Sequence, residues 1–436
     1  MDPAIITGII LLTCIVLGIA FSVPIAVVIG GSAFLAAIPL LGLESSAMAG
    51  AQQMFAGINS FPLLAIPLFV LAGVIMNTGG IAGRLIDAAK VLAGRMPASL
   101  AQTNILANGL FGAVSGAAVA SAAAVGTVTQ PRLAEEGYDR RFGAAVNVAS
   151  APAGMLIPPS NTFIVYSLVS GTSIAALFVA GVIPGILWLL ACMAVVFVYA
   201  LRQSGRLRSD QRVSLGQGLV IIGRAVPSLL MIIVVVGGIL GGLFTATESA
   251  AIAVLYCLVL SAFYRTVRWQ DMPQILVDAG RTTAIIMLLV GASAMLGFVM
   301  SFSRIPDAIS SLVLEFTDSR VIVLLLMMIV LLAIGTFMDP TPAILIFVPI
   351  FLPIATEFGI DPVHFGVMVV MNLSVGVITP PVGNVLLVGA RVARQRIESV
   401  VVSMWPFLLA ILAALFLVVF APVLSTWLPE LVGLMD

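Results

Sequence analysis

The chain has 436 residues, of which 61% are hydrophobic and only 9% charged. A soluble domain carries about 25% charged residues, so a water-facing surface cannot be built from this composition. Formal net charge is zero, which gives no electrostatic case for a nucleic-acid partner.

Apolar stretches of about 17–25 residues recur along the chain, the length that spans a bilayer core as a helix. The runs 220–240 and 321–338 do not alternate apolar with polar residues, as the strands of a membrane barrel would. The predicted fold class is therefore an all-α polytopic membrane protein embedded in a lipid bilayer. The chain begins Met1-Asp2-Pro3 and enters an apolar run with no basic leader, so a retained first span is expected rather than a signal peptide. Cys14, Cys192 and Cys257 lie far apart in apolar runs without metal-ligand spacing and read as inert thiols.

Basic residues mark the topology. Sixteen of the 19 fall in five breaks, at Arg84, Lys90 and Arg95; Arg132, Arg140 and Arg141; Arg202, Arg206, Arg208 and Arg212; Arg265, Arg268 and Arg281; Arg391, Arg394 and Arg396. The positive-inside rule places these breaks on the cytoplasmic face. Breaks that hold Glu44, Glu357, Asp361 and Glu430 without Lys or Arg belong outside. Residues 4–42 then go in and return, and 61–79 go in. Segment 102–130 leaves the inner face and comes back to it as a re-entrant hairpin. Residues 142–170 cross outward with a break at Ile157-Pro158-Pro159-Ser160, and 177–201 return.

The second half repeats this plan from the other side. Residues 213–240, 243–264 and 282–302 cross in turn. Segment 321–355 starts and ends outside, with the break Gly335-Thr336-Phe337-Met338-Asp339-Pro340-Thr341-Pro342, and is the second predicted hairpin. Residues 364–390 cross inward, broken at Thr379-Pro380-Pro381-Val382-Gly383, and 401–428 finish outside. This path leaves Arg304 and Arg320 outside, beside Asp307, Glu315 and Asp318, and predicts an interfacial amphipathic helix over 303–318. His364 reads as an outer-loop residue. Glu248, after Phe244-Thr245-Ala246-Thr247, reads as a helix cap. The glycines Gly237, Gly238, Gly241 and Gly242 have GxxxG spacing and predict close helix packing.

An internal repeat underlies the plan. Ser150-Ala151-Pro152-Ala153-Gly154-Met155-Leu156-Ile157-Pro158-Pro159 matches Asn372-Leu373-Ser374-Val375-Gly376-Val377-Ile378-Thr379-Pro380-Pro381 at an offset of 222 residues. Phe142-Gly143 and Phe365-Gly366 precede them in turn, and each follows a predicted hairpin. Inverted repeats with paired broken helices are the sequence pointer to a transporter site. Proline has no backbone N–H, and two in succession break a helix. The freed carbonyls must face protein, water or a cation, because lipid offers no partner, while half-helix N-termini suit an anion.

Other readings of these residues stay open. One Pro-Pro alone is a kink, and the small-residue stretch 112–121 suits close packing as well as a ligand-facing tip. Asp339 is an intramembrane acid, a functional candidate or a hairpin-tip cap. An intramembrane hydrolase lacks its parts. Gly112-Ala113-Val114-Ser115-Gly116 has not the spacing of a nucleophile elbow, and His364 is the one histidine. A channel would show filter repeats around a symmetric pore, and no Walker A motif supplies ATP.

The ordered set of motifs resembles the large membrane subunit of tripartite ATP-independent periplasmic (TRAP) transporters, the DctM-type permease. The stretches that carry the resemblance are 18–26, 61–69, 112–131, 157–160, 335–342 and 372–383. Ala117 departs from it, standing where Ser is expected in many members. The resemblance implies a bacterial inner-membrane importer. Its substrate would be a small organic acid, such as a dicarboxylate, a sialic-acid-like molecule or another carboxylate, with Na+ as coupling ion and no organic cofactor. Its implied partners are a small four-helix membrane subunit and a periplasmic substrate-binding protein. The implied mechanism is an elevator within the ion transporter superfamily, and a stand-alone ion-coupled anion carrier of that superfamily is the alternative. Scaffold helices would occupy 1–79 and 213–302, and the two inverted repeats 80–212 and 303–436, with arms at 80–96 and 303–318. The implied substrate contacts are Ser115, Gly116, Ala117, Ser160, Asn161, Thr336, Asp339 and Thr341. The implied Na+ ligands are Ser115, Ser150, Gly154, Pro158, Gly335, Met338, Asn372, Gly376, Thr379 and Gly383.

Overall fold

The computed structural model describes residues 3–21, 23–78, 81–202 and 215–435. Arg206, Arg208 and Arg212, three of the predicted cytoplasmic markers, lie outside the described residues. Every regular element among them is helical. This follows from a sequence rich in Leu, Ile, Val and Ala, in a solvent where each backbone polar group must find its partner within the segment. Eight of the described helices are long and apolar enough to cross a membrane.

The chain opens with α1 (Pro3–Ala20), α2 (Ile25–Leu41), α3 (Leu43–Ile58) and α4 (Ala65–Thr78). The stretch before α4 was predicted as a plain outer break, yet α3 fills it. Its polar residues Glu44, Ser45, Gln52 and Gln53 weaken the apolar signal, but they sit on a helix that packs against α13 (Met272–Phe302) and α2. α11 (Leu215–Leu240) and α12 (Ala246–Tyr264) complete this group, with α12 against α4 and α13 against α2 and α4. α12 begins with the expected cap. Thr245 and Glu248 form a reciprocal capping box, with the Thr245 N–H donating to Glu248 Oε2 at 2.7 Å. Within this chain, among the described residues, no other helix meets the GxxxG glycines. A Cβ on Gly237 would meet nothing within 4 Å, and Gly238 instead makes room for the Phe244 ring of the loop that follows.

The remaining helices form the second packed group. α5 (Ile81–Ala93) and α14 (Ile305–Phe316) are short helices with one apolar face, the latter within the amphipathic segment predicted over 303–318. α5 lies against both α11 and α6 (Ser99–Ser115), and α14 against α16 (Pro340–Glu357). α6 folds back as α7 (Ala118–Glu135), and α15 (Arg320–Gly335) folds back as α16. In the loop after α7, burial holds the Glu136 carboxyl above its usual range, partly offset by Lys90 of α5. α15 and α16 are each long and apolar enough to cross a membrane. Hydropathy therefore does not separate a hairpin that turns back from two crossing helices.

The broken helices are α8 (Arg140–Ser150) with α9 (Asn161–Ser170), and α17 (Pro362–Gly376) with α18 (Asn384–Val392). Long α10 (Ile174–Arg202) and α19 (Ile397–Phe420) pack on them. Trp188 of α10 is fully buried and its indole N–H donates to Ala149 O at 2.8 Å. The C-terminal span is not one helix to residue 428. α19 stops at Phe420 before Pro422, and short α20 (Val423–Leu431) turns to cover α10 and α17.

α20 also overturns the loop reading of His364, which sits in the first turn of α17 with no exposed surface. Its Nδ1 lies 2.6 Å from Ser425 Oγ, and its Nε2–H donates to Val419 O at 3.2 Å. Cys192 and Cys257 are buried free thiols and Cys14 is partly exposed.

Candidate functional site

Each broken helix interrupts itself at its Pro-Pro pair. After α8, a short 3-10 turn covers Ala151–Met155, and residues 156–160 are irregular. After α17, residues 377–383 are irregular. Both Pro-Pro peptide bonds, 158–159 and 380–381, are cis.

A hairpin lies on each break through a pair of glycines. A Cβ on Gly112 of α6 would fall 2.5 Å from Gly154 Cα, and one on Gly154 would collide with the Gly112 backbone. In the other half, a Cβ on Gly335 would fall 3.1 Å from Gly376 Cα, and one on Gly376 would collide with the Gly335 backbone. Main chain touches main chain at both crossings, which only glycine permits. Gly154, Gly335 and Gly376 are thus crossing points, whatever their carbonyls bind. Gly112 is their missing partner. The repeat offset that pairs Gly154 with Gly376 also pairs Gly112 with Gly335 to within one residue, and that signal was available in the sequence.

The first tip is Ser115-Gly116-Ala117. Gly116 takes φ +61°, and a Cβ there would lie 3.2 Å from Pro159 O and from the backbone and side-chain nitrogens of Asn161. The structure therefore brings the tip onto Pro159 and Asn161, next to Pro158. Ser115 Oγ lies 3.4 Å from Ser121 Oγ, which donates to Ala117 O at 3.2 Å. Ser160 is fully buried. It caps α9 by accepting from Phe163 N, and its hydroxyl donates to Met155 O at 2.5 Å.

The second tip spans Thr336 to Asp339. Thr336 O accepts from Gly383 N at 3.3 Å, which ties the tip to the second break. The Thr336 hydroxyl donates to Ala333 O and that of Thr379 to Val375 O. Met338 is buried. Asp339 is exposed at the tip and caps α16, accepting from Thr341 N at 3.4 Å. Gly383 takes φ +52°, and a Cβ there would lie 3.0 Å from Thr379 O and 3.2 Å from Val377 O. Two carbonyls thus converge on one glycine turn. Among the described residues no group of three His, Cys, Asp or Glu side chains could hold a metal ion. Carbonyl and hydroxyl oxygens are the donors this region offers a cation.

The two halves interlock. α9 packs on α16, and α18 packs on α7 and α8. Tyr166 OH donates to Pro362 O at 2.6 Å and Ser374 Oγ contacts Met155 Sδ at 3.8 Å.

Two predicted ligands lie deeper, inside the helices that lead to the breaks. Ser150 is fully buried and its hydroxyl donates to Val146 O at 2.7 Å. Asn372 is fully buried, donates to Met368 O at 2.8 Å and leaves Oδ1 without a partner. Around Ser150 is a polar cluster that sequence reasoning missed. Asn108 Nδ2 reaches Ser150 Oγ at 2.8 Å and Asn147 Oδ1 at 3.1 Å, Asn147 donates to Ala122 O, and Asn104 bonds to Thr129. These amides tie α6 and α7 to α8. Their spacing within α6, Asn104 to Asn108, places both on one helix face, which was the readable clue. Replacing Asn108 with Leu leaves the Asn147 oxygen with no donor from this cluster, and an unsatisfied buried group costs about 1–3 kcal/mol. We expect a lowered thermal midpoint in detergent, and an unchanged one would remove the cluster from the account of stability.

Paired broken helices, each met by a hairpin tip and wrapped by long apolar helices, define a multi-pass membrane carrier. The sequence matches the family described as "Tripartite ATP-independent periplasmic transporter, DctM component" over residues 12–424. It is 38% identical over 396 residues to the C4-dicarboxylate TRAP transporter large permease protein DctM of Pseudomonas aeruginosa, covering 91% of this chain and 92% of that one. It is 37% identical over 382 residues to the sialic acid TRAP transporter large permease protein SiaM of Vibrio cholerae, covering 87% and 89%. The chain belongs to the DctM family of TRAP transporter large permeases, multi-pass proteins of the bacterial inner membrane. Its fold is similar to that of the Alcanivorax borkumensis YdaH transporter, with a TM-score of 0.63 over 99% of both chains at 14% identity.

Proposed function

We propose that this chain is the membrane-crossing subunit of a Na+-driven importer of a small organic acid. A periplasmic binding protein delivers the acid, and a small four-helix membrane subunit completes the complex. Work with such partners is a property of the family, and the relatives named for C4-dicarboxylates and sialic acid are permeases for carboxylates. The observation that carries the reading is the duplicated crossing, Gly112 on Gly154 and Gly335 on Gly376, with a hairpin tip seated at each break.

In this reading both hairpins are re-entrant. The N-terminal ends of α9 and α18 face the substrate carboxylate, with Ser115, Gly116, Ala117, Ser160, Asn161, Thr336, Asp339 and Thr341 around it. Na+ takes carbonyl oxygens at the two breaks, including the pair converging on Gly383, and the unpartnered Oδ1 of Asn372 is a further hard donor. The arms α5 and α14 let the block of hairpins and broken helices move against the remaining helices as an elevator.

The test is uptake into liposomes that hold the complex and an inward Na+ gradient. Collapsing the gradient should lower initial uptake by at least about tenfold, equivalent to about 1.4 kcal/mol in the effective barrier. Uptake indifferent to Na+, or proceeding without a binding protein, would replace this reading with a stand-alone anion carrier.

A further inference from the structure

Away from the breaks, a cavity of about 500 Å³ opens between α5, α11 and α12, lined by Arg84, Asp87, Arg224, Pro227 and Tyr264. The apolar span Val220–Leu240 contains one basic residue, Arg224. It lies about 6 Å along the helix from the start of that span. A charge at such a depth needs a partner. Among the described residues neither Arg224 nor Arg84 forms an ion pair. Arg84 is instead held over the Tyr264 ring, 3.0 Å from its centroid, and Tyr264 OH donates to Arg224 O at 3.4 Å. The ring thus sets two guanidinium-bearing segments around one space. Two positive charges face one carboxylate, Asp87, so the lining keeps a surplus of one positive charge.

Tyr264 of the lining adjoins the basic break at Arg265 and Arg268, which the positive-inside rule assigns to the cytoplasmic face. Phe263 and Trp269, on either side of the basic break at Arg265 and Arg268, are 85% and 89% exposed. Exposed aromatic residues beside basic ones mark the membrane–water boundary. Guanidinium groups match phosphate oxygens in geometry, and basic pockets between spans on this face suit phospholipid heads.

We propose that this cavity binds the phosphodiester head of an inner-leaflet phospholipid, through Arg84 and Arg224. Its acyl chains would run deeper along the exposed apolar side chains of α11, among them Leu230 and Ile233. The lipid would wedge the α5 arm against α11. The proposal rests on this cavity and not on the transport reading, so each can fail without the other.

Native mass spectrometry of the full chain in mild detergent is expected to find a retained diacyl phospholipid. Occupancy should fall at least tenfold in the Arg84→Gln/Arg224→Gln variant. Delipidated protein should gain thermal stability from phosphatidylglycerol or phosphatidylethanolamine, and none from inorganic phosphate or glycerophosphate. Arg224→Gln alone guards against failure to fold, because the guanidinium is exposed and the carbonyl that Tyr264 uses is kept. Its lipid response should fall at least severalfold. Equal lipid retention in both variants would overturn the proposal. So would stabilisation by inorganic phosphate alone, which would make this a site for soluble anions.

Discussion

Replacing Gly376 with Ala is expected to abolish uptake and lower the thermal midpoint together. The new Cβ would be driven into the backbone of Gly335, and no side chain stands between that can rotate away. Overpacking of this kind costs about 1–3 kcal/mol. Here the strain moves the hairpin off its break, which also displaces the tip atoms at Thr336 and Gly383. Gly154→Ala should behave alike in the other half. Gly31→Ala and Gly237→Ala are the controls, since a Cβ at either meets nothing within 4 Å, and helix propensity favours Ala over Gly by about 0.5–1 kcal/mol. Melting curves and Na+-driven uptake check all four. A Gly376→Ala protein that melts and transports like the parent would show that the crossing is not tight.

Asp339 carries the second large effect. Its carboxylate caps α16 at the hairpin tip, and the same tip is tied to the broken helix by Gly383 N donating to Thr336 O. Asp339→Ala removes cap and charge, and the cap alone is worth about 1 kcal/mol. Asp339→Asn keeps a capping oxygen and removes only the charge. Both variants are expected to express and to lose at least about tenfold of uptake, a loss equivalent to about 1.4 kcal/mol. Normal uptake in Asp339→Asn would reassign the residue to capping alone. Thr379→Ala should also lower uptake, by less, because the hydroxyl already bonds back to Val375 O.

Much of this architecture was legible because membrane segments obey few rules. Composition excluded a soluble fold, and the match of 150–159 with 372–381 located both breaks. What escaped had a common cause. α3 is a polar-faced helix whose burial comes from α13, and no local pattern reports a neighbour that distant in the chain. His364 follows Asp361-Pro362, which reads as a loop, until α20 folds over it and supplies Ser425. Gly238 carries a packing motif, but within this chain the space over it is filled by Phe244 of the following loop.

The amino-acid sequence by itself determined that this chain lies in a membrane, that its halves repeat, and that each half breaks at Pro-Pro. Those are consequences of hydropathy and of proline's missing N–H, which act within a few residues. Only the tertiary structure decided that Gly112 meets Gly154 and Gly335 meets Gly376, and that Asn108 rather than a tip residue bonds Ser150. It alone brought Arg84 and Arg224 to one cavity. Contacts of that kind depend on which helix faces pack together, and interlocked packing of α9 on α16 and α18 on α7 sets those faces for the whole chain at once.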